Sequence, residues 1–250
     1  MARDARETVA EGYYHIEQSY ERVGMGLRES ILKCKRNPVV AEIKPASPSK
    51  GMITQDINVE ALASMMKRGG AVGLSVLTEP KHFRGRTGYI MTARRCDLPR
   101  LMKDIIVDPI QVEAASKIGA EAILLIGSLF ERKLCDNDLE EMIDLAHDRG
   151  MEVLLETHTM EEFERALGTE ADLIGINNRD LSTLQTDLNV TRKILSSRHP
   201  GNHVVVSESG IDTGDHVRFL RECGANAFLV GSSIMSALNP EEKVRGLVEA

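Results

Sequence analysis

The chain has 250 residues, of which 42% are hydrophobic and 28% charged, with four cysteines and a formal net charge of −7. A chain of this length buries a large core without covalent staples, and the acidic balance argues against a general nucleic-acid binder. No apolar run approaches the roughly 20 residues of a membrane-spanning helix, and Cys34, Cys96, Cys135 and Cys223 are scattered without a CxxC pair, which points to a reducing, cytoplasmic setting.

In chain order, MARDARETVAEGYYHIEQ mixes charges of both signs and lacks the apolar centre of a secretory signal. The segment before Pro38 reads as a helical extension over 1–37, with Ile31 and Leu32 near its end. Beyond it, short runs rich in Val, Ile and Leu recur: VVAEIK (39–44), AVGLSVL (71–77), RLMKDIIV (100–107), AEAILLIG (120–127), MEVLLE (151–156), ADLIGIN (171–177), HVVVSES (203–209) and NAFLVG (226–231). Near-continuous apolar runs suit parallel strands covered on both faces. Amphipathic stretches separate them, and several stop at glycines (Gly69 and Gly70, Gly119, Gly150, Gly224), a helix C-terminal signal. RTGYIMTARR (86–95) reads as a solvated helix, and Met65, Met66 and Met142, at helical spacing, as core filler. Eight strand-like runs with helices between them predict a (β/α)8 TIM barrel with an extra N-terminal helix. No linker or charge block marks a boundary, so 1–250 reads as one domain. An open doubly wound sheet is disfavoured, because no GxGxxG follows the first run and eight strands exceed its usual count.

Six of the eight runs end in polar groups: Glu42 and Lys44; Lys103 and Asp104; Glu156; Asn177 with Arg179 beyond; Glu208 and Ser209; Gly231, Ser232 and Ser233. In a barrel the C-terminal strand ends form the active-site face, so these groups converge on one mouth. SESGI (207–211) and LVGSS (229–233) follow the seventh and eighth strands, where barrels often hold phosphate on backbone N–H groups. Gly210 and Gly231 let the backbone approach an anion, while Ser209 and Ser232 offer hydroxyls. His158 reads as a rim histidine, and the seven histidines have no HExxH-type spacing, so no metal is expected.

The stretches AEIKPASPSKG (41–51), GLSVLTEPKHF (73–83), LMKDIIVDPIQ (101–111), GINNRDL (175–181), SESGI (207–211) and FLVGSSIM (228–235) resemble indole-3-glycerol phosphate synthase, in order and with suitable spacing from Ile31 onward. The resemblance implies a barrel lyase of tryptophan biosynthesis that needs no cofactor or metal. Its substrate would be 1-(2-carboxyphenylamino)-1-deoxyribulose 5-phosphate, closed to indole-3-glycerol phosphate with loss of CO2 and water. By resemblance Lys103 is the general acid, Glu156 and Glu42 are acid–base carboxylates, and Lys44 holds anionic groups. Asn177 and Arg179 orient the substrate, Glu208 tunes the lysines, Ser47 sits beside the substrate carboxylate, and Phe83 is a mouth residue. Ser209, Gly210, Gly231 and Ser232 take the phosphate. Two features depart from the family pattern: Ile105 stands where a phenylalanine usually follows Lys-Asp, and 85–100 differs from the usual second helix. An aliphatic group at 105 can bury the substrate's ring but forgoes aromatic geometry worth about 0.5–1.5 kcal/mol. Phosphoribosylanthranilate isomerase, an amino-sugar phosphate isomerase and a non-catalytic phosphate-binding barrel are the rival readings. Lys44 together with Lys103 favours the synthase. Partners are expected to be the phosphorylated small molecule, not nucleic acid or membrane, and association with other tryptophan-pathway enzymes is left open.

Overall fold

The computed structural model describes residues 1–22, 24–47, 51–52, 57–180 and 183–250, and of Ser47 the backbone alone. Eight parallel strands close into a barrel. They are β1 (Val39–Ile43), β2 (Gly73–Leu77), β3 (Arg100–Lys103), β4 (Ala122–Ile126), β5 (Glu152–Thr157), β6 (Leu173–Asn177), β7 (Val204–Glu208) and β8 (Ala227–Val230). Closure is made by β1, which pairs with β8 on one side and β2 on the other. Each strand falls on one of the eight apolar runs. The third run overshoots, because β3 ends at Lys103 and Asp104 to Val107 leave the sheet.

Strand parity divides the core in two. Val40, Leu101, Leu154, Leu173, Val206 and Leu229 pack together inside the barrel. Their neighbours Val39, Met102, Val153, Ile174, Val205 and Phe228 pack outward against the helices. Since side chains alternate faces, two residues beyond an inward one also points inward. That step leads from Val40 to Glu42, from Leu101 to Lys103, from Leu154 to Glu156 and from Val206 to Glu208. The apolar interior thus aims one lysine and three carboxylates along the barrel axis toward the C-terminal mouth.

The outer ring runs α3 (Val59–Arg68), α4 (Thr87–Ala93), α5 (Pro109–Lys117), α6 (Gly127–Glu131), α7 (Leu139–Asp148), α8 (Met160–Ala166), α9 (Asn189–Ser197), α10 (Gly214–Glu222), α11 (Ser232–Met235) and α12 (Pro240–Val248), after α1 (Ala2–Ala10) and α2 (Leu27–Lys33). Asp108 and Asp138 close capping boxes on α5 and α7. Gly70, Gly119, Gly150 and Gly224 take positive φ past their helices, as their positions predicted. The stretch 86–95 is not simply solvated, because α4 buries Ile90 and Ala93 completely. Met66 and Met142 are buried, in line with core filling, and Met65 is half-buried.

The N-terminal extension holds two helices where one was expected. Leu27 and Ile31 of α2 join the interior cluster and plug the N-terminal end of the barrel, whereas Leu32 is exposed. At the opposite end Ala5 of α1 packs on Ile105 and Val107. The intervening chain runs beside α5, where the Lys117 carbonyl accepts from Tyr20 N at 2.7 Å and Lys117 Nζ donates to the Ile16 carbonyl at 2.9 Å.

Candidate active site

The mouth encloses a cavity of about 450 Å³, ample for a small phosphorylated molecule. At its floor Lys103 Nζ lies 2.9 Å from Glu156 Oε2 and 3.3 Å from Glu208 Oε2. Lys44 Nζ lies 2.5 Å from Glu42 Oε1, and Ser75 Oγ donates to the other oxygen of Glu42 at 3.3 Å. Burial disfavours charge on Lys103, but Glu156, Glu208 and Glu42 outweigh it and raise its pKa above the ordinary lysine value. Burial likewise opposes ionisation of Glu156, yet the charge of Lys103 and the contact with His158 hold its pKa well below the usual carboxylate range. Glu208 goes the other way, to about 7: burial raises it, Lys103 works against the rise, and the negative charges of Glu156 and Glu42 add to it.

Two glycines make room for these carboxylates. A Cβ on Gly175 would stand 2.2 Å from Glu208 Oε1, and one on Gly231 would stand 2.3 Å from Glu42 Oε1. Any larger residue at either place would push its carboxylate off the floor.

The turn after β7 is left-handed at two successive residues, Ser209 (φ 67°) and Gly210 (φ 78°). Asn178 holds it from behind. Its buried amide donates to Ser207 Oγ at 3.0 Å and to the carbonyls of Glu208 at 2.9 Å and Ser209 at 3.2 Å, while its Oδ1 accepts from Thr191 Oγ1 at 2.8 Å. Ser233 Oγ donates to the Ile211 carbonyl at 3.0 Å and ties this turn to the one carrying Gly231 and Ser232. Nearby, Asn177 Oδ1 accepts from Arg179 N at 3.0 Å, and Arg179 Nη1 donates to the Leu184 carbonyl at 2.6 Å.

Across the mouth Leu77, Phe83, Ile105, Ile126, Leu129 and Leu134, beyond the ends of β2, β3 and β4, form an apolar wall, interrupted by Glu79, Ser128 and Arg132. Met1 and Ala2 complete this side from α1. Below them Asp104 accepts from Tyr14 Oη at 3.0 Å and from Thr78 Oγ1 at 2.5 Å, and burial raises its pKa to about 7 against those hydrogen bonds.

The structure therefore brings together Glu42, Lys44, Phe83, Lys103, Ile105, Glu156, Asn177, Arg179, Glu208, Ser209, Gly210, Gly231 and Ser232 around one cavity. The side chain of Ser47 lies outside the described residues. His158 is not a solvated rim residue: it is nearly buried, with a carboxylate on each side of its ring. Its signal in the sequence was parity, two residues past Glu156. Asn178 and the apolar wall were missed as well. The wall's signal was the pair of strand runs without polar ends, AVGLSVL and AEAILLIG, which flank the third. Among the described residues no group of three or more His, Cys, Asp or Glu is placed to hold a metal ion, and no helix is long and apolar enough to cross a membrane.

Comparison with known proteins follows the same residues. The family model of indole-3-glycerol phosphate synthase matches residues 5–247. The chain is 46% identical over 227 residues to the indole-3-glycerol phosphate synthase of Methanocaldococcus jannaschii, covering 89% of this chain and 82% of that one. It is 39% identical over 236 residues to the synthase of Carboxydothermus hydrogenoformans, covering 93% and 88%. Among solved structures it resembles a thiamine phosphate pyrophosphorylase from Pyrococcus furiosus, with a TM-score of 0.60 at 19% identity over 89% of this chain and 96% of that one. That likeness concerns the barrel alone.

Proposed function

The chain belongs to the indole-3-glycerol phosphate synthase family, and we propose that its cleft closes the indole ring with Lys103 as the general acid. The enzyme is a carboxy-lyase of tryptophan biosynthesis acting on a phosphorylated small molecule. It converts 1-(2-carboxyphenylamino)-1-deoxyribulose 5-phosphate into indole-3-glycerol phosphate, CO2 and water.

The polarity of the mouth gives the substrate a direction. The carboxyphenyl ring rests on the apolar wall of Phe83, Ile105 and Leu129, and the phosphate reaches the corner formed by Ser209, Gly210, Gly231 and Ser232. The ketone then lies over Lys103. As the ring carbon bearing the carboxylate attacks the ketone carbon, Lys103 passes a proton to the ketone oxygen, which becomes a hydroxyl. The carbon–carboxylate bond breaks next, CO2 leaves, and the ring regains its aromaticity. The hydroxyl departs as water with a proton from an acid, and the methylene beside nitrogen gives up a proton. Glu156 and Glu42 are the acid–base carboxylates of these transfers. Lys44, beside Glu42, holds the substrate carboxylate with Ser47 and assists the loss of water. Asn177 and Arg179 orient the sugar oxygens, and Glu208 tunes Lys103.

The observation that carries the assignment is the pairing of Lys103 with Glu156 and Glu208 on the floor of the cavity that the apolar wall and the β7–β8 corner both line. No step calls on a metal or organic cofactor. On the same reading residues 1–250 act as one domain in the cytoplasm, with no nucleic-acid partner. The test is to incubate purified protein with the carboxyphenylamino-deoxyribulose phosphate and follow indole fluorescence. Product with stoichiometric CO2 is expected, and its absence from well-folded protein would sink the reading.

A further inference from the structure

Glu156 is approached from two sides. Lys103 reaches Oε2 from the cavity, whereas His158 Nε2 stands 3.3 Å from Oε1 on the far side. The imidazole is itself held from the outside. Its Nδ1 lies 3.3 Å from Glu162 Oε2, and the His158 backbone N–H donates to that same oxygen at 2.7 Å. Glu162 sits in the first turn of α8, where its own N–H donates to the capping hydroxyl of Thr159 at 3.2 Å. Ring, backbone and helix start are thus clamped to one carboxylate.

A ring with a carboxylate at each nitrogen is suited by the imidazolium form, since a neutral ring would turn a lone pair toward an anionic oxygen. Burial alone would lower the His158 pKa; Glu156 and Glu162 outweigh it and push it up to about 10. The Nε2 contact is an ion pair rather than a directed hydrogen bond, and that buried atom has no other hydrogen-bond partner among the described residues. Among the described residues Glu156 and Glu162 are the charged groups paired with the ring. Arg165 of α8, paired with Glu131 of α6, bears on Glu162, while Lys103 and Glu208 reach the ring through Glu156.

We propose that His158 is a positioning residue for ring closure, a cation fixed by Glu162 behind Glu156 that keeps this carboxylate ionised and aimed at Lys103. The proposal rests on the reading of Lys103 and Glu156 as the reacting pair. Its physical reason lies in the proton transfer. Once Lys103 has given its proton to the ketone oxygen, its ammonium charge is gone, and two buried carboxylates, Glu156 and Glu208, lose their counter-ion together. An uncompensated buried charge is strongly unfavourable. The imidazolium, which takes no part in the transfer, compensates Glu156 through that moment. It therefore acts on turnover and not on substrate affinity.

The test compares His158→Gln and Glu162→Gln with Glu156→Gln, measuring kcat and KM across pH, alongside 15N NMR of histidine-labelled enzyme. In His158→Gln, kcat falls and KM stays within about twofold. The acidic limb of the kcat profile moves upward by about 1–3 pH units, the usual effect of losing an opposite charge at this range. The sign follows because Glu156, no longer neutralised from behind, makes it harder for the floor to shed its proton. Glu162→Gln keeps the ring but lowers its pKa. That variant behaves as wild type where His158 is still protonated, and like His158→Gln above that point. In the wild type the NMR signals show an imidazolium at about pH 8, and in Glu162→Gln they show it titrating lower.

An unshifted acidic limb in His158→Gln overturns the proposal, as does a neutral wild-type ring at about pH 8. A fall in kcat, KM and melting temperature together with an unaltered profile also overturns it, since a merely structural histidine would behave so. Should His158→Gln fail to fold, the Glu162→Gln profile and the NMR titration decide alone. Near-normal turnover in Glu156→Gln would bring down the underlying site reading and this proposal with it. An inactive Glu156→Gln beside an unshifted His158→Gln would bring down this proposal alone.

Discussion

Replacing Lys103 by methionine keeps the length of the side chain and removes its proton and charge. A positioned general acid contributes about 10²–10⁴-fold, and at 1.36 kcal/mol per decade that is about 3–5 kcal/mol of barrel-floor chemistry. The substitution also strips Glu156 and Glu208 of the ammonium 2.9 and 3.3 Å away. Breaking a buried pair costs about 3–5 kcal/mol when the surviving charge must stay. Here it need not stay. Glu208, already raised to about 7, can take up a proton near neutral pH and relieve the repulsion. The fold of Lys103→Met should therefore survive at neutral pH and weaken as pH rises. A carboxyl with a raised folded-state pKa contributes stability below its unfolded value, here 4.5, and loses it as pH climbs through the folded value. Without Lys103 that folded value moves above 7, so the melting temperature of the variant should separate from wild type above neutrality. The assay is steady-state indole fluorescence with inorganic phosphate binding measured in parallel. Turnover within about threefold of wild type would refute the acid assignment and move it to Lys44, because no positioned acid contributes so little. Loss of turnover with a collapsed melting transition at neutral pH would show Lys103 to be mainly structural.

Inorganic phosphate should bind at the corner of Ser209, Gly210 and Gly231 and compete with substrate. Gly210→Ala, forced to hold φ at 78° with its Cβ 3.2 Å from Thr186, should weaken that binding and raise KM with little change in kcat; equal phosphate affinity by calorimetry would count against the corner. Asn178→Ala leaves the Ser209 carbonyl without its side-chain donor, at about 1–3 kcal/mol, whereas the Glu208 carbonyl keeps the backbone N–H of residue 178 at 2.9 Å. It should lower the melting temperature and raise KM more than it lowers kcat, and an unchanged KM would detach Asn178 from the phosphate turn. Ile105→Phe, which on sequence alone would gain aromatic contact with the substrate, should instead overpack against Ala5 and Val107 and destabilise by about 1–3 kcal/mol; tighter substrate binding at an unchanged melting temperature would show that α1 yields to the larger ring.

The barrel was legible because each strand is buried on both faces and so reads as an apolar run. The polar ends were legible because strand parity carries the interior positions straight to the mouth. What failed did so where a tertiary partner decided the outcome. RLMKDIIV continues as an apolar run to Val107, yet the strand stops at Lys103, because Asp104 is held by Thr78 and Tyr14 and the residues beyond it find their apolar contact under α1. The sequence marks only one helix in the extension, because the middle of that segment has no periodicity. Its contacts there are Tyr13 Oη to the Thr78 carbonyl at 3.0 Å and Tyr20 N to the Lys117 carbonyl at 2.7 Å, neither visible from local spacing. His158 shares parity with Glu156, but its burial depends on α8 bringing Glu162 to its other nitrogen.

Charge balance ties these parts together. Glu42, Glu156 and Glu208 crowd a floor that must also accept a substrate carboxylate, and like charges this close are tolerated only when compensated. Lys44 compensates Glu42 at 2.5 Å, and His158 compensates Glu156 from behind. Lys103 is then shared between Glu156 and Glu208, and Glu208 is the carboxyl left undercompensated, which is why its pKa rises to about 7 while that of Glu156 falls. Both lysines of the floor are thus engaged by carboxylates, and, among the described residues, the remaining cationic side chains of the cavity, Arg132 and Arg179, stand on its rim. The phosphate is better met away from the floor by backbone N–H groups, and the left-handed pair Ser209 and Gly210 stands on the opposite side of the mouth from the apolar wall. A cavity lined by that turn and by Ile105 suits a substrate with an anion at one end and a ring at the other.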